Sequence, residues 1–252
     1  MVEAGSAAAL FEGVSKDYPQ GVLRRSQLRA VDDVNLCIKQ GEVFGLLGPN
    51  RAGKTTLVKL LLSLCRPTRG RVERLGRPCH DRATLAHIGY VHENPAFPRY
   101  LSARAVLEYY GALTLMHEAE VKARAQTLLE HVGLADRARE PIARFSKGMV
   151  QRLGVAQALL NDPELLVFDE PSEGLDLDGR RMIRDVIAAQ RSRGRTVLYV
   201  SHILSEVEQL CDRVGVLVRG GLVFVGPVSD LTRESSGVPR SLETALDELY
   251  RR

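Results

Sequence analysis

One eight-residue motif, Gly48–Thr55, constrains the fold more than any other feature of the sequence. It reads GPNRAGKT and matches the pattern G-x-x-x-x-G-K-[S/T]. The uninterrupted apolar run Val43–Leu47 precedes it, and an apolar helical pattern from Lys54 to Leu64 follows it. In a strand–loop–helix of this kind, successive backbone N–H groups and the positive end of the helix face a phosphate. The sequence therefore predicts a phosphate-binding loop at a strand end in an α/β fold.

This loop predicts a nucleoside triphosphate site that binds ATP and Mg²⁺. The ammonium group of Lys54 is expected to reach the β- and γ-phosphates, and the hydroxyl of Thr55 is expected to ligate Mg²⁺. The residues predicted to bind nucleotide here are Gly48, Asn50, Arg51, Gly53, Lys54, Thr55 and Thr56.

A second apolar run, Leu165–Phe168, ends in the acidic pair Asp169-Glu170. A strand that ends in an acid places a carboxylate at the carboxyl edge of the sheet, where α/β proteins bind their ligands. Asp169 is predicted to hold Mg²⁺ through water. Glu170 is predicted to act as the general base on the attacking water, so the two motifs together indicate ATP hydrolysis.

Strand and helix patterns alternate along the 252 residues, which favours a largely parallel sheet within one domain or two. A polar and basic loop is predicted over Pro19–Arg29, and a helical subdomain is predicted around Ser102–Val132. The predicted strands are Leu10–Ser15, Ala30–Ile38, Arg71–Leu75, Ile88–Val91 and Thr196–Val200, with a hairpin formed by Val214–Val218 and Leu222–Val225. The predicted helices are Lys147–Leu160, Asp178–Ser192, Leu204–Cys211 and Leu242–Leu249.

Charge and cysteine usage narrow the possible partners. The 35 basic and 31 acidic residues give a net charge of +4 and are scattered, as on an ordinary solvated surface. Arg24-Arg25 and Arg251-Arg252 are the only dense basic spots near regions expected to be flexible, and no nucleic acid is expected as a partner. The four cysteines form no metal-ligand spacing, and the absence of a signal-peptide pattern favours reduced thiols in a cytoplasm. No apolar run approaches the ~20 residues that span a bilayer, so action at a membrane requires a partner.

The segment Phe145–Gln151, FSKGMVQ, resembles the LSGGQ signature of the ABC ATPase family, in an S-K-G-M variant that many exporter ATPases carry. Other family elements stand in family order, and the resemblance covers roughly residues 10–231. It implies an ABC-type nucleotide-binding domain with a parallel core sheet, an antiparallel β subdomain and an inserted helical subdomain. It further implies a head-to-tail dimer in which two ATP molecules lie between the subunits.

The resemblance assigns roles to five further residues. Ser146 and Gly148 are expected to contact the γ-phosphate of ATP held by the opposite protomer, at a helix N-terminus. Asp176, in the segment Glu173-Gly174-Leu175-Asp176, resembles the acid of the dimer-contacting D-loop. His202 resembles the switch histidine at the γ-phosphate, and Tyr18 stands where an aromatic ring stacks on adenine.

Three positions depart from the family pattern. Arg51 replaces a glycine, so the loop is remodelled, or the site is weakened, or the guanidinium adds a cation near the phosphates. Glu93 replaces the usual Q-loop glutamine, and a carboxylate there can still approach Mg²⁺, as in many exporter ATPases. Tyr18 precedes a longer, basic loop than usual.

The resemblance implies the ATP-hydrolysing motor subunit of a transporter, most like the ABC-2 type exporters. It would sit peripherally on the cytoplasmic face of the cell membrane, with a membrane-spanning permease and a second ATPase subunit, either a copy of itself or a relative. The expected division is an ATPase domain over residues 1–235, a helical insert near 95–160, and a tail with a short helix over 236–252.

Two alternatives stay open. The first is a soluble ABC ATPase acting on nucleic acid or ribosomes, although the chain has one phosphate loop and no sustained heptads. The second is a catalytically weakened partner in a heterodimer, for which Arg51 is the reason.

Overall fold

A computed structural model describes residues 7–20, 26–232 and 241–251. The chain divides into two compact units, residues 1–85 with 196–252, and residues 86–195. We call the first the loop unit, because it contains the phosphate loop Gly48–Thr55, and the second the signature unit, because it contains Phe145–Gln151. The basic residues Arg24, Arg25 and Arg252 lie outside the described residues.

An antiparallel sheet of strand order β2-β1-β4-β5 forms one part of the loop unit. Its strands are β1 (Ala7–Gln20), β2 (Ser26–Lys39), β4 (Arg69–Arg74) and β5 (Arg77–Pro78). The predicted loop over Pro19–Arg29 is wrong at its two ends, because β1 and β2 pair there, with Tyr18 opposite Leu28 and Gln20 opposite Ser26. The middle of the predicted loop, residues 21–25, lies outside the described residues. Backbone pairing in an exposed ribbon needs no apolar run. The sequence feature that could have revealed this pairing is the oppositely charged pair Asp17 and Arg29, which lie opposite each other and form an ion pair at 2.9 Å.

The loop unit also contains the strand order β10-β9-β3-β8. Here β3 (Val43–Leu47) runs parallel to both β8 (Thr196–Val200) and β9 (Arg213–Val218), and β10 (Gly221–Pro227) is antiparallel to β9. Every residue of β3 and β8 is buried, as the continuous apolar runs predict. The helices of this unit are α1 (Lys54–Leu61), α6 (Leu204–Leu210), α7 (Val228–Leu231) and α8 (Leu242–Tyr250).

In the signature unit, β6 (Ile88–Val91) pairs in parallel with β7 (Leu165–Asp169). Its helices are α2 (Ala103–Leu113), α3 (Glu118–His131), α4 (Lys147–Leu159) and α5 (Leu177–Ser192). The helical pattern over Ser102–Val132 is therefore two helices. They pack closely at Gly111, where a Cβ atom would stand closer than 3.0 Å to the side chain of Val121.

The α/β class and its parallel strands are confirmed, and the remaining predicted strands and helices form within a few residues of their expected bounds. Across the described part of the chain, no helix combines the length and apolar character needed to cross a membrane.

Candidate functional site

Two glycines fix the backbone of the phosphate loop. Gly48 has φ 151° and Gly53 has φ 108°, in a region that side-chain-bearing residues rarely adopt. A Cβ atom at Gly48 would stand closer than 3.0 Å to the carbonyl oxygen of Leu217, and one at Gly53 equally close to that of Ala30. Both positions of the motif therefore require glycine for conformation and for space.

The loop is tied to its surroundings through the main chain. The amide of Ala52 donates to the carbonyl of Pro49 at 3.1 Å, and the amide of Gly220 donates to the carbonyl of Ala52 at 2.9 Å. Gly53 forms the N-cap of α1 without a side-chain hydrogen bond. Because no side chain caps this end, the amides of the first helical turn can receive an anion.

Lys54 and two threonines supply the polar side chains of this helix start. The ammonium of Lys54 donates to the carbonyl oxygens of Gly48 at 2.6 Å and Pro49 at 3.2 Å, so it lies over the loop. Thr55 is exposed, as a hydroxyl that ligates a cation requires, and Thr56 is half-buried.

Tyr18 is tethered to residues of the loop unit beyond the β ribbon. Its hydroxyl lies 3.7 Å from Sγ of Cys65 and also hydrogen-bonds Thr56 in α1. Burial, followed by the interaction with Cys65, raises the pKa of Tyr18. The ammonium of Lys16 lies 5.0 Å from the ring centroid. The Cys65 contact could not be predicted from sequence patterns, because it joins residues that are 47 positions apart.

Arg51 adopts φ 66° and is exposed. The position therefore has the left-handed conformation for which the family pattern uses glycine. A non-glycine residue costs about 1–2 kcal/mol in this conformation. Arg51 thus adds strain to the middle of the loop.

A cavity of about 340 Å³ borders the phosphate loop within the loop unit. Its lining consists of Leu47, Gly48, Pro49, Asn50, Ser201, His202, Leu204, Glu243, Leu246, Asp247 and Tyr250. His202 is exposed, and Ser201 fixes the backbone beside it, because its hydroxyl accepts from the amide of Ile203 at 3.0 Å. The structure thus brings His202 and Asn50 to one cavity. The sequence did not predict the contribution of α8.

The acidic pair of the signature unit follows β7. Asp169 is buried, with 4% of its surface exposed, and its carboxylate hydrogen-bonds the hydroxyl of Tyr90. Burial, and then the charges of Asp169 and Glu93, raise the pKa of Tyr90. Tyr90, a residue without a predicted role, thus lies close to both carboxylates that were predicted at the metal. Glu170 adopts φ 52°, in the left-handed region.

Side chains organise the signature segment. Ser146 caps α4, where its hydroxyl accepts from the amide of Met149 at 3.3 Å. Asp176 caps α5 by accepting from the amide of Gly179 at 2.8 Å, and it pairs with Arg152 at 2.8 Å. These interactions, the amide first, lower the pKa of Asp176.

An open pocket of about 550 Å³ lies over this segment and brings Ser146, Gly148 and Asp176 together. Arg152 also lines it, and no role was predicted for this residue. Its position one helical turn after Gly148 in α4 was the available sequence signal.

Comparison with known proteins gives consistent matches. The sequence model of the family described as ABC transporter matches residues 31–173. The ABC transporter ATP-binding protein sll0415 of Synechocystis sp. is 41% identical, over 89% of this chain and 64% of that protein. Nod factor export ATP-binding protein I of Rhizobium johnstonii is 37% identical over 90% of this chain, and bacitracin transport ATP-binding protein BcrA of Bacillus licheniformis is 40% identical over 82%. The chain spans 64% to 71% of the length of these relatives.

Solved structures extend the similarity to nearly the whole chain. An ATP-binding subunit of an ABC transporter superposes with a TM-score of 0.86 at 28% identity, covering 96% of this chain and 99% of that one. The dimeric ATP-binding cassette MJ0796, in a post-hydrolysis state with ADP and Pi, superposes with a TM-score of 0.80 at 25% identity, covering 87% of this chain and 98% of that one.

Proposed function

The chain belongs to the ABC transporter family, and from this premise we propose that it is the ATP-hydrolysing motor subunit of an exporter. The observation that carries the proposal is a phosphate loop whose two glycines are required by both φ and space, at Gly48 and Gly53. The exporter assignment draws on relatives named for Nod factor export and bacitracin transport.

The proposed chemistry follows from the donor groups. The loop amides and Lys54 bind the β- and γ-phosphates, and Tyr18 packs on adenine. The hydroxyl of Thr55 and the carboxylates of Asp169 and Glu93 are oxygen ligands of the kind that Mg²⁺ prefers. When bound, Mg²⁺ neutralises charge on the phosphates.

Two further residues act on the reaction itself. Glu170 accepts a proton from the attacking water, and His202 contacts the γ-phosphate. With Lys54, these residues supply the positioning and charge stabilisation on which phosphoryl transfer depends.

The signature segment acts on ATP held by a second subunit, either a copy of this chain or a relative. Ser146 and Gly148 stand at the N-terminus of α4, where a helix favours an anion, and Asp176 contributes the dimer-contacting acid. ATP closes this head-to-tail dimer and hydrolysis reopens it. A membrane-spanning permease converts the motion into transport, and the subunit lies on the cytoplasmic face of the membrane.

Substitution of the general base tests the proposal. Glu170→Gln should retain ATP binding and form a stable dimer with ATP, with turnover reduced at least about 100-fold, since general-base catalysis contributes about 10²–10⁴-fold. ATP hydrolysis assays measure turnover, and the mass from light scattering in the presence of ATP measures dimer formation and hence ATP binding. Glu120→Gln, an exposed change on α3, is the control and should behave as wild type. Wild-type turnover in Glu170→Gln would remove Glu170 from its role.

The partner is tested separately, by mass spectrometry of what co-purifies with the chain from its own cells in mild detergent. We expect a polytopic membrane protein in stoichiometric amount. Ribosomal proteins or nucleic acid without such a partner would instead support an ABC ATPase that acts on those molecules.

A further inference from the structure

Helix α8 presents one face to the cavity beside the phosphate loop. Glu243, Leu246, Asp247 and Tyr250 all line this cavity, together with Asn50 and His202 among others. Their spacing of three, four and seven positions places these four residues on one side of a helix. The C-terminal helix therefore forms a wall of the cavity that contains His202, which the proposed function places at the γ-phosphate.

This wall is firmly attached to the loop unit. Leu242, Ala245 and Leu246 each expose 1% of their surface or less. At the helix start, the hydroxyl of Ser241 accepts from the amide of Thr244 at 3.1 Å. Buried apolar residues and an N-cap of this kind hold α8 against the unit, and they fix where its polar residues stand.

The charge on this wall is negative. Glu243 and Asp247 are both exposed, and among the described residues that line the cavity none is lysine or arginine. Both residues line the cavity that Gly48, Pro49 and Asn50 of the phosphate loop also line. Charges within about 10 Å of each other interact measurably at low salt.

We propose that α8 sets the nucleotide affinity of the site. Glu243 and Asp247 repel the terminal phosphates of ATP, so the loop binds ATP more weakly than its geometry alone allows. The same repulsion favours release of ADP and phosphate after hydrolysis. The inference rests on the proposed function, because it requires ATP in the phosphate loop.

The decisive test is a charge-removing double variant, Glu243→Gln with Asp247→Asn. The control, Glu120→Gln with Asp185→Asn, makes the same change of net charge at exposed positions in the signature unit. Calorimetry with a non-hydrolysable ATP analogue should show about three- to tenfold tighter binding for the first variant alone. The gain should vanish near 1 M salt, where the Debye length is about 3 Å, and should be smaller for AMP.

The outcomes separate the two proposals. If wild type binds the ATP analogue and both double variants bind it equally well, the role of α8 is overturned while the proposed function stands. If wild type binds no ATP analogue, the proposed function fails and the role of α8 fails with it.

A second variant locates the helix without altering charge. The chain contains no tryptophan, so Tyr250→Trp introduces a single tryptophan into the cavity wall, which can be excited apart from the tyrosines. Its emission should shift as the ATP analogue is added, with the midpoint that calorimetry gives. A variant with wild-type circular dichroism that binds the analogue without any change in emission would contradict the placement of α8 beside bound nucleotide.

Discussion

The phosphate loop and the signature segment both lead into a helix, but different interactions hold them in place. The loop closes on Gly53, which has φ 108° and makes no side-chain cap, and its geometry depends on backbone atoms lying close together. The signature segment begins α4 with a side-chain cap from Ser146. Ion pairs of 2.8 Å brace it, formed by Lys147 with Glu173 and by Arg152 with Asp176.

This difference determines what each region tolerates. A site built on close backbone approach cannot accept one added methyl group, but its geometry depends little on salt or pH. A site braced by exposed ion pairs accepts small changes in shape, and its bracing weakens with salt and with protonation. The phosphate loop therefore tolerates no added volume, whereas the geometry of the signature segment can adjust.

The largest expected effect comes from adding the same methyl group to both regions. Gly53→Ala should destabilise the protein by roughly 3 kcal/mol or more, because the position combines positive φ with a backbone clash. Urea unfolding and ATP binding measure the effect. The matched change, Gly148→Ala, places its Cβ 3.4 Å from the nearest atom, the carbonyl oxygen of Gly174, which is an ordinary contact. Its stability should stay within about 1 kcal/mol of wild type. Equal losses of stability in the two variants would show that the two regions tolerate an added methyl group equally well.

A smaller effect is expected from Arg51→Gly. Relief of the left-handed strain at φ 66° should outweigh the greater freedom of glycine in the unfolded chain and stabilise the protein by roughly 0.5–1 kcal/mol. Thermal unfolding and the ATP affinity are the measurements. Lower ATP affinity in this variant would instead indicate a phosphate contact by Arg51. Higher turnover in the variant would favour the reading of the natural chain as a weakened partner.

The smallest effect concerns how stability depends on pH through the ion pair of Asp176 with Arg152 beside the signature segment. The pKa of Asp176 is lowered from its ordinary value of 3.8, so the carboxylate stabilises the fold above about pH 4, and this contribution is lost as pH falls through the lowered pKa. Asp176→Asn keeps an acceptor for the amide of Gly179 but loses the charge. Its deficit in Tm against wild type should be present at pH 7 and should shrink as the pH falls through the lowered pKa of Asp176. A deficit that stays constant over this range would assign the effect to shape alone.

Local motifs made much of this molecule predictable. The apolar runs Val43–Leu47 and Leu165–Phe168 are buried strands, and the motif glycines fall where positive φ is needed. Each of these predictions depends on neighbouring residues only. The extension of β1 beyond Ser15 and of β2 before Ala30 was missed, because exposed pairing leaves no apolar pattern.

Contacts between residues that are distant in the chain could not be predicted from the sequence. The fully buried Arg74 donates to the hydroxyl of Thr84 at 2.8 Å and to the carbonyl of Asp81 at 3.1 Å, although a strand arginine is ordinarily expected at the surface. The bond from Tyr90 to Asp169 and the place of α8 at the cavity likewise depend on residues far apart in the chain.

In the dimer we propose, the loop of one subunit and the signature of another act on the same ATP. Lys54→Ala and Ser146→Arg should each abolish hydrolysis alone. Mixed in equal amounts, about half of the dimers pair one variant with the other and carry one intact site, so about a quarter of wild-type activity should return. Continued inactivity of the mixture, with Ser146→Arg still binding ATP and mixed dimers present, would contradict an ATP site shared between two subunits.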